Sequence, residues 1–232
     1  MPKLWIFGDS FSETNEGRFL VKWRTDYINW KKYVPKVFSD FLSAKLGMPS
    51  RNLGIGGADN YTIMDSIIDS LNKIDREDII IIGWSSTIRF RVASREGSFL
   101  TVRPDNLNNK DKNSQLISTI SNTSYLTDIS VDALNEIIVN RCELPYVDEI
   151  NRYIKLINHI YPDNIIINWS PFKQEEEGLF VTPIKQKIET IFEETNGEIY
   201  DMHFSENGNR QMSEYLYDLI KSYDNTKKVK LL

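Results

Sequence analysis

Residues 78–84 read "DIIIIGW": four isoleucines, all β-branched, between an acidic residue and a glycine. A short unbroken apolar run closed by Gly is the form of a strand buried on both faces. Two further runs share this form. Residues 3–8, "KLWIFG", end on Gly8, and residues 164–172, "NIIINWSPF", are a near twin. Longer stretches with helical spacing lie between them. "VPKVFSDFLSAKLG" (34–47) carries Val34, Val37, Phe38, Phe41, Leu42 and Leu46, with Gly47 as a stop. "YTIMDSIIDSLNKI" (61–74) repeats the pattern, and "RNLGIGG" (51–57) reads as a short strand entering a Gly-rich turn.

Further on, "TPIKQKIETIFEET" (182–195) predicts a helix with Thr182 as N-cap and Pro183 at its first position. "GEIYDMH" (197–203) predicts a short strand into a loop. Residues 205–223 predict the closing helix, capped by Ser205. Strands alternating with helices imply crossover connections, a mostly parallel sheet and helices on both faces. Two stretches stand outside this pattern. Residues 13–33 hold Trp23, Tyr27, Trp30 and Tyr33 among charges, and residues 85–130 are polar and rich in Asn and Ser. Both are read as insertions in a single domain spanning 1–232, the second with some structure of its own or as a mobile lid.

The chain has 232 residues, 41% hydrophobic and 26% charged, with a formal charge of −5. That composition excludes a wholly disordered or fibrous chain and is enough for a sizeable core. An acidic balance is a poor match for nucleic acid, so no nucleic-acid partner is expected. Cys142 is the one cysteine, so no intramolecular disulfide framework forms. With two histidines, a Cys/His zinc site is not expected either. No cofactor or metal is implied. No run approaches ~18 apolar residues, so no membrane span is expected. The N-terminus turns polar too early for a signal peptide, which predicts a cytoplasmic location. A virion component assembled in a cytoplasm would look the same. The oligomeric state is open.

Ligands of an open parallel sheet bind beyond the carboxyl ends of its strands. Gly8-Asp9-Ser10 follows the first run, and Gly54, Gly56, Gly57 and Asn60 follow the second. Gly83, Trp84, Ser85 and Ser86 follow the third; Asp201 and His203 follow the last. A serine, a glycine turn, small polar groups and an Asp/His pair are the parts of an acyl-transfer site. Asp9 is read as fixing the turn and His159 as structural at a helix end. Arg89 and Arg91 are read either as holders of an anionic group or as ion-paired residues.

Three blocks carry a resemblance. "FGDSFS" (7–12), "NLGIGGADN" (52–60) and "DMHFSENGNRQMSEYL" (201–216) resemble, in order and spacing, the first, second and last blocks of the GDSL, or SGNH, hydrolases. The resemblance implies a three-layer α/β/α, flavodoxin-like fold with a five-stranded sheet in the order 2-1-3-4-5. It also implies esterase, deacetylase, thioesterase or lipase-type hydrolysis without a metal. Ser10 matches the nucleophile and His203 the base. The Ser10 and Gly57 N–H groups match two oxyanion donors.

Two places depart from the family's pattern. Its third block carries an Asn donor where this chain reads Gly83-Trp84-Ser85-Ser86. Ser85 or Asn60, or a repositioned Ser86, would then supply the third donor. The family's Asp lies three residues before the His; Tyr200 holds that place here. Asp201, two residues before His203, is on the same side of an extended chain and can orient the imidazole. The sequence therefore predicts a serine hydrolase acting on an ester or O-acetyl group of a small-molecule or carbohydrate substrate. The alternative is a catalytically impaired carbohydrate-binding or structural module of the same fold, for instance in a virus particle.

Overall fold

A computed structural model describes residues 1–15, 22–86, 89–93, 99–102, 146–171 and 187–230. Cys142, the expected cap at Thr182 and most of 85–130 lie outside these residues. In chain order the elements are β1 (Leu4–Gly8), α1 (Lys22–Lys31), α2 (Phe38–Leu46), β2 (Ser50–Asn52), α3 (Asn60–Ile68) and β3 (Ile79–Gly83). Then come β4 (Phe90–Ala93), β5 (Phe99–Val102), α4 (Tyr146–Ile160), β6 (Ile165–Trp169), α5 (Ile191–Glu194) and α6 (Glu206–Lys230).

The three apolar runs form three adjacent strands, β1, β3 and β6, of one parallel sheet in the order β2-β1-β3-β6. Because side chains alternate across a strand, each run supplies two cores. Trp5, Phe7, Ile80 and Ile82 pack with Ile63 and Ile67 of α3 and with Ile150, Ile154 and Ile157 of α4. Leu4, Ile6, Ile79, Ile81 and Ile167 face the other way, onto Phe38 and Leu42 of α2 and Met212, Leu216 and Ile220 of α6. The result is the expected three-layer α/β/α arrangement. Each fully buried Ile or Leu side chain stabilises it by about 1.5–3 kcal/mol.

The fifth strand is a correction. Residues 197–203 do not extend the sheet. Asn196 and Gly197 take φ of 50° and 85°, which turns the chain back on itself. The Ile191 N–H then donates to the His203 carbonyl and the Phe192 N–H to the Asp201 carbonyl. Backbone groups that a fifth strand would offer to β6 are used at the start of α5. One isolated bridge, Thr190 to Phe204, remains. The helix expected over 182–195 is also shorter in its described part. Residues 187–189 are not helical, and α5 starts after Thr190, whose hydroxyl accepts from the Glu193 N–H at 3.3 Å.

The 13–33 stretch contains α1, and part of 85–130 forms the antiparallel pair β4–β5. Among the described residues, no helix is long and apolar enough to cross a membrane. The register sets up the site. Gly8 pairs with Gly83 at the carboxyl end of the sheet, so the loops after β1 and β3 leave side by side. The Ile55 N–H donates to the Gly8 carbonyl at 2.9 Å and brings the second block to the same edge.

Candidate active site

The chain leaves β1 through Gly8, at φ +154°. A Cβ at Gly8 would lie 2.2 Å from Ser12 Oγ and 2.8 Å from the Gly83 carbonyl oxygen, so only glycine fits. The Asp9 carbonyl then accepts from the Ser12 and Glu13 N–H groups at 2.9 and 3.1 Å. Its carboxylate accepts from the Phe11 N–H at 3.1 Å. These bonds close one tight turn with Ser10 at its tip.

His203 reaches that tip from the far end of the chain. Its placement starts two residues later, at the Ser205 cap of the α6 N-terminus. The Ser205 hydroxyl caps the helix by accepting from the Gly208 N–H at 2.9 Å, and it donates to Glu189 Oε2 at 2.6 Å. Gly208 allows this approach, because a Cβ there would sit 2.0 Å from the Glu189 carbonyl oxygen. Asn209 accepts from the Phe38 N–H at 2.9 Å and ties the same turn to α2.

So placed, His203 Nε2 is 2.7 Å from Ser10 Oγ, and its Nδ1 is 2.6 Å from Asp201 Oδ1. The same Asp201 oxygen accepts from the His203 backbone N–H at 2.8 Å. A carboxylate only accepts, so Nδ1 carries the ring proton and Nε2 offers its lone pair to the serine hydroxyl. The short Asp-x-His spacing thus reaches the imidazole, while Tyr200 points to solvent at 86% exposure. Comparison with solved structures finds likenesses, among them the following. The chain is similar to a candidate lipolytic protein of the G-D-S-L family from Desulfitobacterium hafniense DCB-2. They are 13% identical over 93% of this chain and 98% of that one, with a TM-score of 0.36. No family model and no curated protein matches the chain.

Neither Ser10 N–H nor Gly57 N–H has an acceptor among the described residues. The two side chains expected as a third donor are committed elsewhere. Asn60 Oδ1 accepts from the Ser85 N–H at 2.8 Å, and Asn60 Nδ2 donates to the Ser85 carbonyl at 3.1 Å. The fully buried Ser85 hydroxyl donates to Asp9 Oδ2 at 3.2 Å and accepts from Arg89 Nη1 at 2.8 Å. Asn60 and Ser85 therefore fix one loop against the other. Ser86 is half-buried beside them.

Arg89 is ion-paired rather than an anion holder. Its Nη1 lies 2.9 Å from Asp9 Oδ2 and also reaches the Ala58 carbonyl at 3.2 Å. The Arg91 side chain falls outside the described residues. Burial pushes the Asp9 carboxyl above its usual range, against the pull of Arg89 and of the Phe11 N–H. Removing one member of a buried pair leaves the other charge uncompensated. Asp9→Ala should therefore cost about 3 kcal/mol of stability, read as a lower midpoint in urea unfolding.

Sequence reasoning did not find what holds the imidazole ring. Phe11 stacks on His203 at 4.4 Å between centroids and 26° between planes, and Trp23 does so at 4.2 Å and 11°. Trp23, Tyr27 and Lys31 share one face of α1 at a spacing of four. Tyr27 donates to the Glu194 carboxylate and accepts from the Glu206 N–H at 2.8 Å. Lys31 bonds Glu194 Oε1 at 2.6 Å. Burial pushes the Tyr27 phenol well above its usual range, so it stays a donor. These contacts anchor α1 on α5 and α6 and hold Trp23 over His203.

Aromatic pairs are worth about 0.5–1.5 kcal/mol beyond burial. Trp23→Ala should therefore lower kcat about tenfold with KM little changed, and Trp23→Phe should recover most of it. A parallel fall in kcat with no rescue by Phe would mark general disruption instead.

Proposed function

We propose that this chain is a serine hydrolase that cleaves an ester or O-acetyl bond with Ser10 as nucleophile. One observation carries the reading: the unbroken line of contacts from Ser10 Oγ through both nitrogens of His203 to Asp201. Ser10 Oγ attacks the carbonyl carbon while His203 Nε2 takes the hydroxyl proton. Asp201 balances the imidazolium that forms. The Ser10 and Gly57 N–H groups receive the oxyanion. His203 then protonates the leaving alcohol, and Ser10 keeps the acyl group. Water attacks this acyl-enzyme, loses its proton to the same imidazole and releases the acid. The proton returns to Ser10 Oγ.

The commitment of Asn60 and Ser85 favours the second reading, a module with impaired catalysis. Loss of one oxyanion donor costs about 10²–10³ in rate. Turnover of p-nitrophenyl acetate decides between the two. The native chain should exceed the Ser10→Ala background and keep its rate in EDTA, since no step above needs a metal. Equal rates for native chain and variant would favour the module.

A further inference from the structure

We propose that Phe11 and Trp23 sandwich the His203 ring to stabilise the positive charge it takes up during the reaction; this rests on the esterase reading above. The Trp23 ring lies 4.2 Å from the imidazole between centroids, at 11°, and the Phe11 ring lies 4.4 Å away, at 26°. Two rings stacked at these distances would overlap on one face, so each covers a face of its own. The face of an aromatic ring is electron-rich and attracts a cation within about 6 Å of the centroid. Neutral imidazole gains stacking from both neighbours, and imidazolium gains this attraction as well. The attraction is stronger where water is kept away, and the His203 side chain is only 20% exposed.

The charge is transient. His203 Nε2 takes the Ser10 proton in acylation and the water proton in deacylation, so it is present in both transition states. Contacts that are stronger there than in the resting enzyme lower the barrier. Asp201 meets the imidazolium at its edge, through Nδ1. The two aromatic rings cover the faces, which that carboxylate does not reach. The Arg24 guanidinium also lies over Trp23, 4.9 Å from its centroid, but Glu13 Oε2 at 2.7 Å from Arg24 Nη2 offsets that charge. Trp23 thus acts through His203, electrostatically as well as by holding the ring in place.

Fluorine on an indole withdraws electrons from its face and leaves its shape nearly unchanged. Site-specific replacement of Trp23 by mono-, di-, tri- and tetrafluorotryptophan therefore separates charge stabilisation from simple support. The logarithm of kcat for p-nitrophenyl acetate should fall in step with the number of fluorines. With tetrafluorotryptophan it should lie about fivefold below native, with KM little changed. A ring that only holds His203 in place would keep its kcat throughout. The same analogues at Trp30, on the same helix but stacked on Tyr27, should leave kcat unchanged. A constant kcat at Trp23, a loss unrelated to fluorine number, or an equal loss from Trp30 overturns the proposal.

If the native chain hydrolyses no ester, the esterase reading fails, and the sandwich is read without turnover. A double-mutant cycle of Trp23→Leu and His203→Gln, followed by urea unfolding, measures the coupling between the two rings. It is run once where NMR shows the His203 ring protonated and once where it shows the ring neutral. Asp201 and Asp9 also interact with the imidazole charge, and Arg24 lies over Trp23. All three are present in every chain of the cycle, so their direct effects on His203 cancel. The coupling, as a ratio of unfolding constants, should be at least about threefold larger with the ring protonated. Equal coupling in both states overturns the sandwich as well.

Discussion

Ser10→Ala and His203→Ala should each lower kcat for p-nitrophenyl acetate by about 10³ or more. The double variant should be little worse than either single one, because the two groups act as one unit. Ser10→Ala removes the atom that attacks the carbonyl. His203→Ala removes the atom, 2.7 Å away, that takes its proton. Neither change touches the β1–β3 core, so far-UV circular dichroism should stay native-like. What survives should be the contribution of the Ser10 and Gly57 N–H groups and of binding alone. A His203→Ala chain with near-native turnover would remove the imidazole from the mechanism. Additive losses would mean that the two residues serve separate steps.

Asp201→Asn should lower kcat by about 10²–10⁴. The Asp201 carboxylate accepts twice through Oδ1, from the His203 backbone N–H and from Nδ1. An amide at this position can keep the backbone bond with its oxygen. It can then turn its NH₂ toward Nδ1 and move the ring proton to Nε2. In that tautomer Nε2 donates and cannot take the serine proton. Asp201→Ala loses the backbone bond too and should be at least as slow. Steady-state kinetics of both variants check this. If Asp201→Asn turns over at the native rate, the imidazole is oriented by its Phe11 and Trp23 stacking alone.

Much of the fold was legible because its signals are local. Ile79–Ile82 and the run Leu4–Gly8 are buried on both faces, and continuous apolar strands announce this without any knowledge of the partners. Gly47 ends α2 at φ 65°, as a stop signal predicts. The fifth strand failed for an equally local reason that propensity does not weigh. Asn196 and Gly197 can enter the left-handed region, and once they do, the carbonyls of Asp201 and His203 serve α5. Ser10 could be placed because it follows a strand of the parallel sheet, whose carboxyl ends share one edge; Asp201 and His203 reach that edge without a strand, held through their carbonyls by the start of α5.

The supporting groups were hidden because they depend on distance in space. Trp23 and His203 are far apart in sequence, and α1 covers the imidazole only because Tyr27 and Lys31 find Glu194 and Glu206. The aromatic residues at 23–33 stand out in the sequence, but nothing in their spacing names His203 as the ring that Trp23 covers. Ser85 and Asn60 had the right chemistry for a donor. Their use as mutual struts is visible only when both loops stand side by side.

The central claim is that Ser10 Oγ is a nucleophile activated by His203. The most direct measurement is labelling with an alkyl fluorophosphonate, followed by peptide mass spectrometry. The serine attacks phosphorus and fluoride leaves, so the adduct marks the activated hydroxyl. One adduct is expected, on the peptide that contains Ser10, absent in Ser10→Ala and formed at least about 10²-fold more slowly in His203→Ala. No adduct on Ser10 in the native chain, or equal labelling rates with and without His203, would contradict it.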